Sequence, residues 1–80
     1  MHETHLIQPI IKGISEHAQK EGAERVSRVC LKVGRLIGVE EESFTQTFKL
    51  LSKGTILENA ELELTFFPGT HIQVLSFDID

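Results

Sequence analysis

The sequence RVSRVCLKVGRL, residues 25–36, alternates between apolar and polar side chains. One face carries Val29, Leu31 and Val33, and the other carries Arg28, Cys30 and Lys32. Such alternation is typical of a β-strand with one face buried and the other in water. The apolar face of this strand must therefore be covered by other parts of the chain.

Two amphipathic helices flank this strand in the sequence. In the first, apolar residues recur at spacings of three and four, and Glu21-Gly22 ends the pattern with a glycine suited to the turn after a helix. The second begins after Glu40-Glu41-Glu42 and ends at Lys53-Gly54. The negative charges at its start and the positive charge of Lys53 at its end complement the helix dipole. The apolar positions are Leu6, Ile7, Ile10, Ile11, Ile14 and Ala18 in the first helix and Phe44, Phe48 and Leu51 in the second.

Pro9 and Gly13 weaken the first helical pattern. Pro9 cannot donate a hydrogen bond to the carbonyl of His5, and Gly13 lowers the helix propensity in the middle of the element. We therefore expect the first turn of this helix to be loose or bent.

Two further strands come after the second helix. Residues 60–67 alternate, Pro68-Gly69-Thr70 forms a turn, and residues 71–80 form a third strand in which a bulge near Val74 and Leu75 would bring the apolar side chains to one face. The order α-β-α-β-β predicts a two-layer α/β domain: a three-stranded mixed sheet with two helices packed on one face. Strands one and two are expected to be parallel, and strands two and three to form an antiparallel hairpin.

Composition restricts the function. Eighty residues, 1–80, form one domain, and the net charge of −4 argues against a nucleic-acid or anionic-membrane surface. Cys30 is the one cysteine, which excludes an internal disulfide and a CxxC zinc site. With no long apolar run near the start, we expect a soluble cytoplasmic protein.

Catalytic motifs are absent from the sequence. No phosphate-binding glycine loop and no GxSxG elbow occurs, and Cys30 has no histidine near it in sequence. The sequence therefore predicts a protein that is not an enzyme.

Metal-binding chemistry is concentrated in Met1-His2-Glu3. The terminal amine, the His2 amide nitrogen and the His2 imidazole can close two fused chelate rings, and the Glu3 amide or carboxylate can complete a planar set. Such nitrogen-rich sets suit Ni(II) or Cu(II). Two alternatives stay open: the segment is a frayed end without a role, or His5 joins the same ion.

Several stretches together resemble the HypA/HybF family of nickel metallochaperones. They are Met1–Glu3, Glu21–Val26, Leu31–Gly34, Gly38-Val39, Phe48, Leu51–Thr55, Ala60–Leu62 and His71–Asp80. The resemblance implies a small sheet with two helices on one face, and delivery of Ni(II) for assembly of nickel-iron hydrogenase and, in some organisms, urease. It also implies Met1, His2 and Glu3 as the metal site, and a HypB-like GTPase and the hydrogenase precursor as partners.

One departure from the family is large. Its members carry a zinc subdomain with two CxxC pairs between the second and third strands, where this chain has Pro68-Gly69-Thr70. We therefore expect Ni(II) but no zinc. The alternative function is a zinc-less protein-interaction module without metal delivery, and the exposed edges of a small sheet would also allow a homodimer.

Overall fold

The computed structural model describes residues 3–80. Its elements are α1 (Thr4–Lys20), β1 (Val26–Gly34), a short 3₁₀ helix (Arg35–Ile37), α2 (Glu41–Ser52), β2 (Glu61–Phe67) and β3 (Ile72–Ile79). The predicted order α-β-α-β-β and the two-layer arrangement are confirmed.

The sheet has the order β2-β1-β3. β1 runs parallel to β2, with Leu31 opposite Leu64, and antiparallel to β3, with Val29 opposite Phe77. The predicted hairpin between the second and third strands is wrong, because β3 pairs with β1 and not with β2. This order puts the strand with the most buried side chains in the centre, where both of its edges are hydrogen-bonded.

Gly34, the last residue of β1, allows the chain to cross from β2 to β3. The connecting residues 68–71 must span two strand spacings, about 10 Å, and they pass directly over the end of β1. Gly34 N–H donates to the His71 carbonyl at 2.8 Å, and Leu36 N–H donates to the Gly69 carbonyl at 3.0 Å. A Cβ on Gly34 would collide with the Gly69 carbonyl and meet the Thr70 nitrogen at 2.8 Å.

We expect Gly34→Ala to destabilise the fold by about 1–3 kcal/mol, because the added methyl group meets backbone that cannot swing aside. Gly13→Ala is the matched control, since a Cβ there meets no atom within 4 Å. In the middle of α1 that change should stabilise by about 0.5–1 kcal/mol. Urea unfolding followed by circular dichroism measures both. Equal effects of the two variants would contradict the close crossing at Gly34.

Two register shifts in the β1–β3 pair keep most apolar residues of β3 opposite buried residues of β1, with the exception of Leu75, which is 51% exposed. Cys30 pairs with Ser76 while Leu31 pairs with Val74, so Leu75 is the extra residue, and the predicted bulge is confirmed. A second shift, between Val26 and Arg28, was not predicted. It explains how both Val26 and Val29 are buried although they lie three positions apart.

The core lies between the helices and the sheet. Both helices were predicted to cover β1, and their apolar residues pack with it in one cluster: Ile7, Ile11, Ile14, Ala18, Val26, Val29, Leu31, Val33, Phe44, Phe48 and Leu57. Leu57, from the connection between α2 and β2, was not predicted. Of the two apolar residues that follow β1, Ile37 packs against this cluster, whereas Leu36 is 75% exposed.

The expected loose first turn of α1 is also wrong. The helix runs without a break from Thr4 through Pro9 to Lys20. Pro9 removes only the bond to the His5 carbonyl, and the buried side chains of Ile7 and Ile11 on either side hold the helix on the core.

Candidate metal centre

The predicted metal-binding segment is Met1, His2 and Glu3. Met1 and His2 lie outside the described residues. Glu3 is half-buried and is the N-cap residue of α1. Its carbonyl accepts hydrogen bonds from the backbone N–H groups of Leu6 at 3.0 Å and Ile7 at 2.9 Å, so its backbone is fixed to the first helical turn.

The Glu3 carboxylate contacts the second helix. Ser43, in the first turn of α2, donates its hydroxyl hydrogen to Glu3 Oε2 at 3.1 Å. Sequence reasoning did not find Ser43. The one available signal was a serine directly after three glutamates at a helix start, which by itself indicates only helix capping.

The other three histidines, His5, His17 and His71, are exposed on the protein surface. His5 is exposed in the first turn of α1. His17 packs edge-on against Phe77 with ring centroids 5.5 Å apart, and His71 packs against Phe67 at 5.1 Å. Within residues 3–80, no three His, Cys, Asp or Glu side chains come together in a group that could hold a metal ion.

The solvent-facing side of the sheet carries polar and charged side chains that contact one another between β1 and β2. Arg28 Nη2 donates to Glu63 Oε2 at 2.8 Å, and Cys30 Sγ–H donates to Glu63 Oε1 at 3.2 Å. The hydrogen bond from Arg28, and to a smaller extent that from Cys30, lowers the pKa of the Glu63 carboxyl. Glu63 in turn raises the pKa of Arg28. Because the carboxyl pKa is lowered, this ion pair is complete at neutral pH and is lost as the pH falls through the lowered pKa.

The thiol of Cys30 thus lies beside the Arg28–Glu63 pair on an open sheet face. It is also the one cysteine of the 80 residues. These 80 residues therefore do not contain the two to four cysteines that Cys₂His₂, Cys₃His and Cys₄ zinc sites use.

No helix within residues 3–80 is long and apolar enough to span a bilayer.

Comparison with known proteins gives a family match over most of the chain. A family model described as "Hydrogenase/urease nickel incorporation, metallochaperone, hypA" matches residues 1–72. A hydrogenase maturation factor HypA from Beijerinckia indica is 41% identical over 69 residues, 86% of this chain and 61% of the relative. The protein of the same name from Legionella pneumophila strain Lens is 33% identical over 72 residues, 90% of this chain and 64% of the relative. The chain thus spans about three-fifths of the length of these relatives.

Two solved structures share the fold. The solution structure of the Ni metallochaperone HypA from Helicobacter pylori superposes with a TM-score of 0.83 at 15% identity, covering 96% of each chain. A second, described as the solution structure of HypA protein, gives a TM-score of 0.79 at 17% identity and covers 100% of this chain and 97% of the other. At these identities the two structures bear on the fold alone.

Proposed function

The chain belongs to the HypA family, and from that premise we propose that it carries Ni(II) as cargo on Met1, His2 and Glu3 and delivers it for assembly of nickel-iron hydrogenase. The family is one of metallochaperones rather than catalysts. We place the delivery in the cytoplasm, since the single Cys30 offers no disulfide that an oxidising compartment would favour.

The donor chemistry supports Ni(II) as the cargo. The Met1 amine, the His2 amide nitrogen and the His2 imidazole close two fused chelate rings, and Glu3 adds its amide or carboxylate. A planar set of nitrogen donors favours Ni(II) and Cu(II) over ions that prefer oxygen ligands. The amine, amide and imidazole must lose protons to bind, so the affinity should fall steeply below about pH 7.

The placement of Glu3 is the observation that supports this proposal best. Its carbonyl is bonded into α1 and its carboxylate to Ser43 of α2. Glu3, the last residue of the proposed metal-binding segment, is therefore a fixed point of the fold. The first residues of a domain are usually poorly ordered unless they are tied down, and Glu3 is held through both its backbone and its side chain.

The partners we propose are a HypB-like GTPase and the hydrogenase precursor. The family description also names urease, and urease is a second destination that we propose for the nickel. Because the chain spans 61% and 64% of its relatives' length, the activity of the whole relatives is a proposal for this chain.

A transfer experiment tests delivery. The unmodified chain is loaded with one equivalent of Ni(II) and mixed with metal-free hydrogenase precursor, with and without the GTPase. We expect the separated precursor to gain nickel faster than it does from a chelator buffered to the same free Ni(II). The His2→Ala chain serves as the control. Equal rates from the chelator and the protein would contradict delivery.

A second candidate function is supported by the exposed edge of β3. The order β2-β1-β3 leaves β3 unpaired on its outer side within residues 3–80, and Leu75 on it is 51% exposed. Such an edge suits a protein-interaction module or a homodimer formed edge to edge. The two functions are separated by the transfer experiment, since a module of this kind would bind the GTPase without moving nickel.

A further inference from the structure

Ser43 lies outside the proposed nickel-binding segment and yet contacts it. Its hydroxyl donates to Glu3 Oε2 at 3.1 Å, across 40 positions of sequence. Both side chains are half-buried. The contact therefore links the second helix to the residue that directly follows His2 in the sequence.

Both partners of this hydrogen bond adjoin the core. The Glu3 carbonyl accepts from Ile7 N–H at 2.9 Å, and the side chain of Ile7 is 0% exposed. On the other helix, Ser43 precedes Phe44, which is also 0% exposed and whose N–H donates to the Glu40 carbonyl at 2.9 Å. The bond therefore joins two helix starts that are each fixed by packing, rather than two mobile surface side chains.

We infer that Ser43 is a positioning residue for the nickel site, a role that rests on the proposed function because it concerns how the same segment is held. By fixing the Glu3 carboxylate against the start of α2, Ser43 restricts residue 3, the neighbour in sequence of the proposed ligand His2. Restricting a ligand segment before binding lowers the entropy lost when the metal orders it. The second helix thereby contributes to nickel affinity without supplying a ligand.

Ser43→Ala should weaken Ni(II) binding by about three- to tenfold, the range expected for a hydrogen bond to a charged group at a half-exposed site. Ser43→Thr keeps the hydroxyl and should restore most of the affinity. Ser15→Ala is the matched control, since Ser15 is also a half-buried helical serine but lies far along α1 from Glu3. Affinity is measured by competition with a chelator of known strength.

Two readouts separate positioning from a general loss of structure. The visible absorption band of bound Ni(II) should keep its wavelength in Ser43→Ala, because the ligands are unchanged. In the metal-free chain, the amide hydrogens of Leu6 and Ile7, which are bonded to the Glu3 carbonyl, should exchange with solvent faster in Ser43→Ala than in Ser15→Ala.

The outcomes distinguish the two proposals. If the unmodified chain binds no Ni(II), the proposed function fails. If it binds Ni(II) and Ser43→Ala binds it equally well, with unchanged exchange at Leu6 and Ile7, only the role of Ser43 is overturned. The role of Ser43 would also be overturned if Ser43→Thr failed to recover the affinity and the Leu6 and Ile7 amides exchanged as slowly in Ser43→Ala as in the unmodified chain.

Discussion

Blocking the amine of Met1, or replacing His2 with alanine, is expected to lower the Ni(II) affinity more than about 100-fold. Each change would remove one of the proposed ligands and open a chelate ring. Loss of an outer-shell partner alone costs up to about 100-fold in metal affinity, depending on how buried the site is, so loss of a ligand should exceed that. Calorimetric titration of the free, the N-terminally tagged and the His2→Ala chains measures the effect.

The matched control moves the same tag to the C-terminus, after Asp80, where it leaves the amine free. That chain should bind Ni(II) like the untagged one. A His5→Ala variant tests whether His5 is a further ligand of the same ion. It should bind Ni(II) with normal affinity if His5 is not a ligand. Equal affinities for the N-terminally tagged and free chains would exclude the amine as a ligand.

Phe44→Ala is expected to destabilise the fold by about 3–5 kcal/mol. Phe44 is 0% exposed and belongs to the cluster that joins both helices to β1. A domain of this length has a total stability of about 4–12 kcal/mol, so this one change removes a large share of it. Urea unfolding gives the free energy directly.

Leu50→Ala is the control for Phe44→Ala, because it lies on the same helix and removes an apolar side chain that is 63% exposed. Its cost should stay within about 0.5 kcal/mol. Equal losses of stability in the two variants would contradict the packing of α2 on the sheet through Phe44.

The elements of the fold could be predicted from sequence because each has a local period. Alternation around Val29 and Leu31 identifies β1, and the change of parity at Val74 and Leu75 identifies the bulge. The order of the strands has no such local signal. Neighbouring strands joined by four residues suggest a hairpin, and the crossing is allowed only because Gly34 leaves room for Gly69.

The candidate site could be predicted only in part for a similar reason. Met1, His2 and Glu3 are consecutive, so their chelating chemistry can be read from the chain. The contact from Ser43 to Glu3 joins residues 40 positions apart, and no periodic pattern in the sequence indicates it. Pro9 misled the prediction of the first turn, because helix propensity does not include the anchoring of Ile7 and Ile11 in the core.

The most direct test of a nickel site at the start of this fold is a Ni(II) titration of the unmodified chain, monitored by visible absorption and magnetic susceptibility. We expect saturation at one equivalent, with the band of a diamagnetic square-planar complex built from nitrogen donors. Absence of that band, or a paramagnetic six-coordinate spectrum that persists when the Met1 amine is blocked, would contradict it.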